Sequence, residues 1–226
     1  NKKLPNGEIN IKIDDISVER VNHTKFLGVV INDKLTWDDH IKTILNKARK
    51  SIGIIYRIRH NIPSSTLINL YYTLVHPYYE YCNIVWGSNN STIFQCLGRS
   101  QKRAVRAVVF ANRFSHSAPI FKKLHVLTIA QINKVQTACF VYKATNKLLP
   151  AQFSYFFTPN SMIHDHNTRQ NSKLHLVLHR TKIRANSIRI YGVKIWNSLS
   201  NDLRMSPSLN VFRNKYKHQL LDSTTI

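Results

Sequence analysis

Residues 25–42 read KFLGVVINDKLTWDDHIK, and the fold turns on how this stretch divides. Phe26 to Ile31 is an apolar, β-branched run with one glycine, which predicts a buried strand in which Gly28 lets another backbone or a ligand approach closely. Asn32-Asp33 carries turn chemistry. Thr36, Asp38 or Asp39 then offers an oxygen to cap a helix opening near His40, and the acidic pair suits the positive end of that helix. A strand ends here and a helix begins.

The formal charge of +22 changes character at the same place: residues 1–40 hold six Lys/Arg against seven Asp/Glu, whereas residues 41–226 hold 27 against four. Such an excess repels itself in a compact domain, and its usual role is to meet a polyanion whose condensed counterions are released. With 43% hydrophobic and 10% aromatic residues the chain is not a disordered basic tail. No run approaches the ~18 apolar residues of a membrane-spanning helix, so RNA and DNA are the expected partners and a membrane is not. Cys82, Cys96 and Cys139 are an odd set without a CxxC, which argues for a reducing compartment. No signal peptide is visible, and N-x-S/T matches at Asn22, Asn89 and Asn90 read as chance, so a nuclear or cytoplasmic rather than secreted protein is expected. The chain opens without Met, its first being Met162, and is expected to be a piece of something longer.

Glu8 to Ile13 and Ile16 to Val21 alternate apolar and polar residues around an Asp14-Asp15 hairpin turn, giving three short strands with Phe26–Ile31. From Asp39 to about Arg59, Ile41, Ile44, Leu45, Ala48, Ile52 and Ile55 recur on one helical face. Lys42, Arg49, Lys50 and Arg57 fall in an arc of about 100° beside it, a cationic stripe. A second helix follows Pro63-Ser64-Ser65 through Leu67, Leu70, Tyr71, Leu74 and Val75, and a third runs from Pro77 through Tyr81, Cys82, Val85 and Trp86 to Gly87. Residues 60–98 contain no Lys or Arg and read as packing core. A fourth helix, Thr92 to about Ala111, carries Arg99, Lys102, Arg103 and Arg106; Thr128 caps a fifth through Ala144. Leu174, Leu176 and Leu178 alternate with polar residues and predict a strand, as does Ser187–Ile190, whereas Val193–Leu199 and Leu209–Leu221 predict helices. The expected fold is mainly α with a short N-terminal antiparallel β element, then a helical unit and a smaller α+β C-terminal domain.

Asp14-Asp15 invites a polymerase reading, because adjacent carboxylates on a hairpin can hold the two magnesium ions of nucleotidyl transfer. A catalytic pair needs a third carboxylate from an earlier strand, so the pair reads as a turn; Asp38-Asp39 reads as a helix start. His164-Asp165-His166 lacks a third ligand at a helical or hairpin spacing, and Cys96, His116 and His125 do not match zinc patterns. His175 and His179 extend a polar strand face toward phosphate or water. Trp37 and Tyr56, set beside bases, could stack on exposed nucleobases, although aromatics at helical spacing are more often core.

One ordered series carries a family resemblance: VNHTKFLGVVINDKLTWDDHI, KARKSIGIIYRIRH, LINLYYTLVHPYYEYCNIVWG, RSQKRAVRAV, FKKLHVLTI, NTRQ, SIRIYGVKIWNSLSNDLR and SLNVFRNKYKHQLL. It resembles the downstream part of reverse transcriptases of non-LTR, LINE-type, Jockey-like retrotransposons. The resemblance implies that Phe26-Leu27-Gly28 is the primer grip at the end of the palm and that the following helices form the thumb that holds an RNA–DNA duplex. It divides the chain into palm-edge strands (1–36), a helical thumb (37–112) and a basic C-terminal α+β domain (113–226). Phosphate contacts are expected from Lys42, Arg49, Lys50 and Arg57 and from Arg99, Lys102, Arg103 and Arg106. The F/Y-x-D-D catalytic motif of the family is not reproduced by Ile13-Asp14-Asp15-Ile16, so no catalytic or metal residue is assigned and magnesium belongs to a complete parent, with its upstream palm and fingers as partners. The competing readings are residual polymerase or nuclease activity, an independent basic RNA/DNA-binding protein derived from such an element, and a truncated relic without a role.

Overall fold

A computed structural model describes residues 11–88, 91–163, 171 and 173–223. Its architecture is mainly helical, with two small antiparallel hairpins at the N-terminal side. Strands β1 (Ile11–Ile13) and β2 (Ile16–Val18) form the first, closed by Asp14-Asp15 with φ of 46° and 64°. Two successive positive φ values are the signature of a tight hairpin turn, which Asp tolerates because its short side chain bonds locally.

Strands β3 (His23–Phe26) and β4 (Val29–Asn32) form the second hairpin, with Phe26 opposite Val29. Phe26–Ile31 is therefore not one buried strand. Leu27 and Gly28, at φ of 45° and 81°, are a two-residue turn in the middle of the apolar run. Phe26 and Leu27 are 64% and 72% exposed, and Val29 alone of the run is buried. A leucine at the first turn position hides the turn from a reading based on hydropathy.

Helix α1 (Asp38–Ile58) starts as the junction implies, but not by side-chain capping. Trp37 occupies the cap position at φ 64° with no capping bond. Asn32 organises the corner instead: its amide donates to Thr36 Oγ1 at 2.8 Å and to Asp39 at 3.4 Å, and its carbonyl oxygen accepts from the Thr36 N–H. The predicted face from Ile41 to Ile55 is buried throughout. His40 docks the second hairpin on this helix, its Nδ1 accepting from the Val30 N–H at 3.3 Å while its ring meets Trp86 edge-on at 5.8 Å.

That contact has a pH consequence. Burial holds the His40 pKa below its ordinary 6.5, with Lys47 acting in the same direction. Below pH 6.5 the unfolded chain gains a proton that the folded chain refuses, so stability falls as pH drops from 6.5 toward the folded value and is unaffected above it. His76, also lowered by burial, contributes with the same sign. In urea unfolding across this range, His40→Gln is expected to remove part of the wild-type loss; an unchanged pH slope would exclude the contact as its source.

After a 3₁₀ turn at Arg59–Asn61, α2 (Ser64–Leu74) buries Leu67 and Tyr71. The third predicted helix is two: α3 (His76–Glu80) and α4 (Asn83–Trp86), broken where Cys82 takes φ 49°. The break turns Tyr81 and Val85 outward instead of inward, and Tyr81 Oη donates to the Leu27 carbonyl at 2.6 Å. Of the span 60–98 expected to be core, Leu67, Tyr71, Val75, Tyr79, Trp86 and Leu97 are fully buried, whereas Tyr72, Tyr81 and Val85 are exposed, so one face of its helices packs and the other does not.

Helix α5 (Thr92–Val108), capped by Ser91, packs along α1; α6 (Ala118–Lys123) is a short helix not anticipated from the pattern. Thr128 caps α7 (Ile129–Thr145) in a full capping box with Gln131. Between these helices Gln101 is 1% exposed, and its amide donates to Tyr71 Oη at 3.0 Å and to the Leu127 carbonyl at 2.9 Å. Its carbonyl oxygen accepts from the Ile129 N–H at 3.0 Å.

Beyond α7 the aromatic stretch forms a 3₁₀ turn at Ala151–Phe156, a second follows at Asn160–Met162, and α8 (Lys182–Ala185), α9 (Ile188–Ser198), α10 (Asn201–Arg204) and α11 (Leu209–Asp222) complete the chain. The strand expected at Leu174–Leu178 is one isolated bridge, Pro159 to Leu174, because Asn197 takes both backbone groups of Leu174, at 3.0 and 2.8 Å. The strand expected at Ser187–Ile190 is the start of α9. There Ile190, Val193 and Trp196 are buried and Gly192 lies so close to α7 that an added Cβ would sit 3.0 Å from Val141. The α+β character expected of 113–226 is thus reduced, among the described residues, to that bridge. One buried cluster runs from Ile41 on α1 to Leu221 on α11.

Candidate nucleic-acid interface

The pairing of α1 with α5 leaves a groove on their outer side. Arg49 and Gly53 of α1 face Cys96, Arg99 and Arg103 of α5 across a hollow of 340 Å³. Arg99 and Arg103 also line the next hollow, of 1040 Å³, which continues to Tyr56 and Arg59 on one side and to Lys102, Arg106 and Arg113 on the other. The two hollows adjoin at Arg99 and Arg103, and together they are called the channel. On α5 spacings of three and four residues put Arg99, Lys102, Arg103 and Arg106 there while Leu97 and Val105 face the core; α1 adds Arg49, and Arg59 follows its end.

Seven cations thus converge, and none of the ion pairs among the described residues takes a base from the groove. Sequence explains this: from residue 40 to residue 164 the lone carboxylate is Glu80. The cations are ordered by other partners. Tyr56 has the Arg59 and Arg103 guanidinium groups at 4.8 and 4.9 Å from its ring centroid. Arg59 Nε donates to His60 Nε2 at 3.1 Å, an Arg99 guanidinium nitrogen to Cys96 Sγ at 3.2 Å, and Arg106 Nε to the Ser115 carbonyl at 2.8 Å. Held this way, planar guanidinium forks are suited to phosphate oxygens.

Of the residues expected from sequence, Arg49, Arg99, Lys102, Arg103 and Arg106 are brought together. Lys50 and Arg57 are exposed on α1 but do not line the groove, and Lys42 is tied to Asp39 at 3.3 Å. The bonds from Lys42 and Asn32 hold the Asp39 carboxyl below its ordinary value. Phe26, Leu27 and Gly28 form the exposed hairpin tip fastened by Tyr81, apart from the groove lining. Trp37 packs partly against the core, and the Tyr56 ring is engaged by the protein's own guanidinium groups. Arg59 and Arg113 were missed because both lie beyond helix ends, where periodicity stops; the acid-free stretch was the signal that could have found them. If the groove holds a polyanion, replacing Tyr56 with Leu is expected to release both arginines and weaken that binding by about fivefold, with Phe retaining it, since an exposed cation–π contact contributes about 0.5–1 kcal/mol. Equal loss in both variants, read by fluorescence anisotropy, would count against this role.

Asp14 and Asp15 are the two turn residues of the first hairpin, and no group of three or more His, Cys, Asp or Glu that could hold a metal occurs among the described residues. His164-Asp165-His166 lies outside the described residues. Cys82, Cys96 and Cys139 are free thiols, the last buried, with its pKa raised by that burial. Among the described residues no helix is long and apolar enough to cross a membrane.

The two packed helices thus present a row of cations on one side, and the sequence is similar to part of a transposon protein. The chain is 22% identical over 128 residues to "Probable RNA-directed DNA polymerase from transposon X-element" of Drosophila melanogaster. The match covers 55% of this chain and 14% of that protein's length. No family of known proteins and no solved structure matches the chain.

Proposed function

We propose that this chain is a nucleic-acid-binding portion of a retrotransposon RNA-directed DNA polymerase, holding a primer–template, an RNA–DNA duplex, through its phosphates. The observation that carries the reading is the acid-free channel of Arg49, Arg59, Arg99, Lys102, Arg103, Arg106 and Arg113 between α1 and α5. Seven cations, four of them held by neighbouring groups and none by a carboxylate, offer a polyanion a site with no internal competitor. In this reading residues 1–36 are the palm edge, with Phe26-Leu27-Gly28 as the primer-grip turn, residues 37–112 the thumb, and residues 113–226 the supporting C-terminal part.

The channel is built wholly from residues 49–113, so binding is assigned to this chain alone and polymerisation is not. Magnesium and the catalytic carboxylates belong in this proposal to the upstream palm of a parent polymerase, and the compartment is nuclear or cytoplasmic. The test is equilibrium binding of the chain to an RNA–DNA duplex over a series of salt concentrations. Binding should be indifferent to sequence and fall linearly with log salt; salt-independent binding, or none, would refute the proposal.

A further inference from the structure

We infer that the loop after α5 is a stacking site for an unpaired nucleobase, so that the channel receives a strand at a single-stranded end or junction rather than along a continuous duplex. This rests on the nucleic-acid reading above. Two aromatic rings stand at the channel's end: Phe110 is 47% exposed and lines it, and Phe114, directly after the channel residue Arg113, is 85% exposed. Exposed apolar residues taken singly are common on proteins, but two aromatic rings beside a row of cations offer flat faces on which unpaired bases stack.

The loop holds these rings out by design of its backbone bonds. Phe110 sits at φ 57°, where a helix end normally has glycine, and the helix closes around it through the Ala111 N–H to the Arg106 carbonyl at 3.0 Å. Asn112 organises the next turn, its side-chain oxygen accepting from the Phe114 N–H at 3.0 Å and its carbonyl from the Ser115 N–H at 3.1 Å. Arg106 fastens the far end at the Ser115 carbonyl. The Arg113 guanidinium lies 5.8 Å from the Phe114 ring, and the His60 ring lies 6.1 Å from that of Phe110.

Charge decides the occupant. A protein surface without carboxylates of its own would bury the neighbouring arginines unpaired, at a desolvation cost that guanidinium groups cannot recover. A nucleic-acid strand supplies phosphates to Arg99, Lys102, Arg103 and Arg106 and a flat apolar base to the rings in one ligand. A duplex interior has no free base to give, since its bases are already stacked. An overhanging nucleotide has one.

The experiment compares three probes, a blunt RNA–DNA duplex, the same duplex with a short single-stranded overhang, and the overhang carrying 2-aminopurine, whose fluorescence is quenched by stacking. The overhang should raise affinity on the order of tenfold, and 2-aminopurine should be quenched on binding. Phe114→Ala, at a ring outside the channel lining, should abolish both gains while leaving blunt-duplex affinity and its salt dependence unchanged, and Phe114→Trp should restore quenching. Blunt-duplex binding with no overhang gain, or a gain that survives Phe114→Ala, overturns the stacking site and leaves the phosphate channel standing. No binding to any probe overturns both. A Phe114-dependent dimer formed without nucleic acid overturns the stacking site in favour of a second copy of the chain.

Discussion

Replacing Arg99 and Arg103 with glutamate is expected to weaken binding to an RNA–DNA duplex by about a hundredfold at moderate salt, on all sequences alike, and to flatten the salt dependence by about one unit of slope per lost phosphate contact. The two side chains line both hollows of the α1–α5 channel, so reversing them puts two carboxylates at its centre and repels the strand along its whole length. Lys50 and Arg57 are the internal control. They carry the same charge on α1, the other helix of the pair, yet do not line the channel, and reversing them should cost only the weaker, screened long-range attraction. Equal losses from the two pairs would show that net charge and not the channel governs binding. Both arginines are exposed, so neither variant should fail to fold.

Gln101→Leu is expected to destabilise the fold by about 3–5 kcal/mol, because a buried group left without its hydrogen-bond partner costs roughly 1–3 kcal/mol. The substitution removes one side chain that joins three elements. Tyr71 Oη on α2, the Leu127 carbonyl before α7 and the Ile129 N–H in its first turn lose that partner together. Urea unfolding should show a lower midpoint with an unchanged slope, while the adjacent Lys102→Gln, on the exposed side of α5, should stay within about 0.5 kcal/mol of wild type. A cost for Gln101→Leu below about 1 kcal/mol would mean that the network does not hold α5 in place. Because Arg99, Lys102 and Arg103 flank Gln101, the same network fixes how the channel bases are presented.

The long helices were legible in the sequence because each carries a complete face and a recognisable start. The Ile41–Ile55 face of α1 and the capping box of Thr128 and Gln131 on α7 are local signals that packing did not overrule. The turn at Leu27-Gly28 was not legible, since a leucine at positive φ looks like strand interior until its neighbours Phe26 and Val29 are seen to pair across it. Nor was the break at Cys82, which follows from docking Tyr81 against the hairpin tip. Residues 187–190 alternate like a strand, but the close seat of Gly192 on Val141 of α7 makes them helical. Leu174 has strand-like neighbours and no strand to pair with, so a side-chain amide from Asn197 takes its backbone groups.

By itself the sequence determined the helical character, the charge boundary near residue 40 and the near absence of carboxylates from the basic stretch that follows. Periodicity and composition are properties of neighbouring residues, and they suffice for that. Tertiary structure decided which cations act together. Lys42, Arg49, Lys50 and Arg57 share one arc of α1, but a helix has several sides and only its packing partner selects one. The seat of α5 gathered Arg49 with Arg99 and Arg103, set Arg59 and Arg103 against Tyr56, and left Lys42 to Asp39.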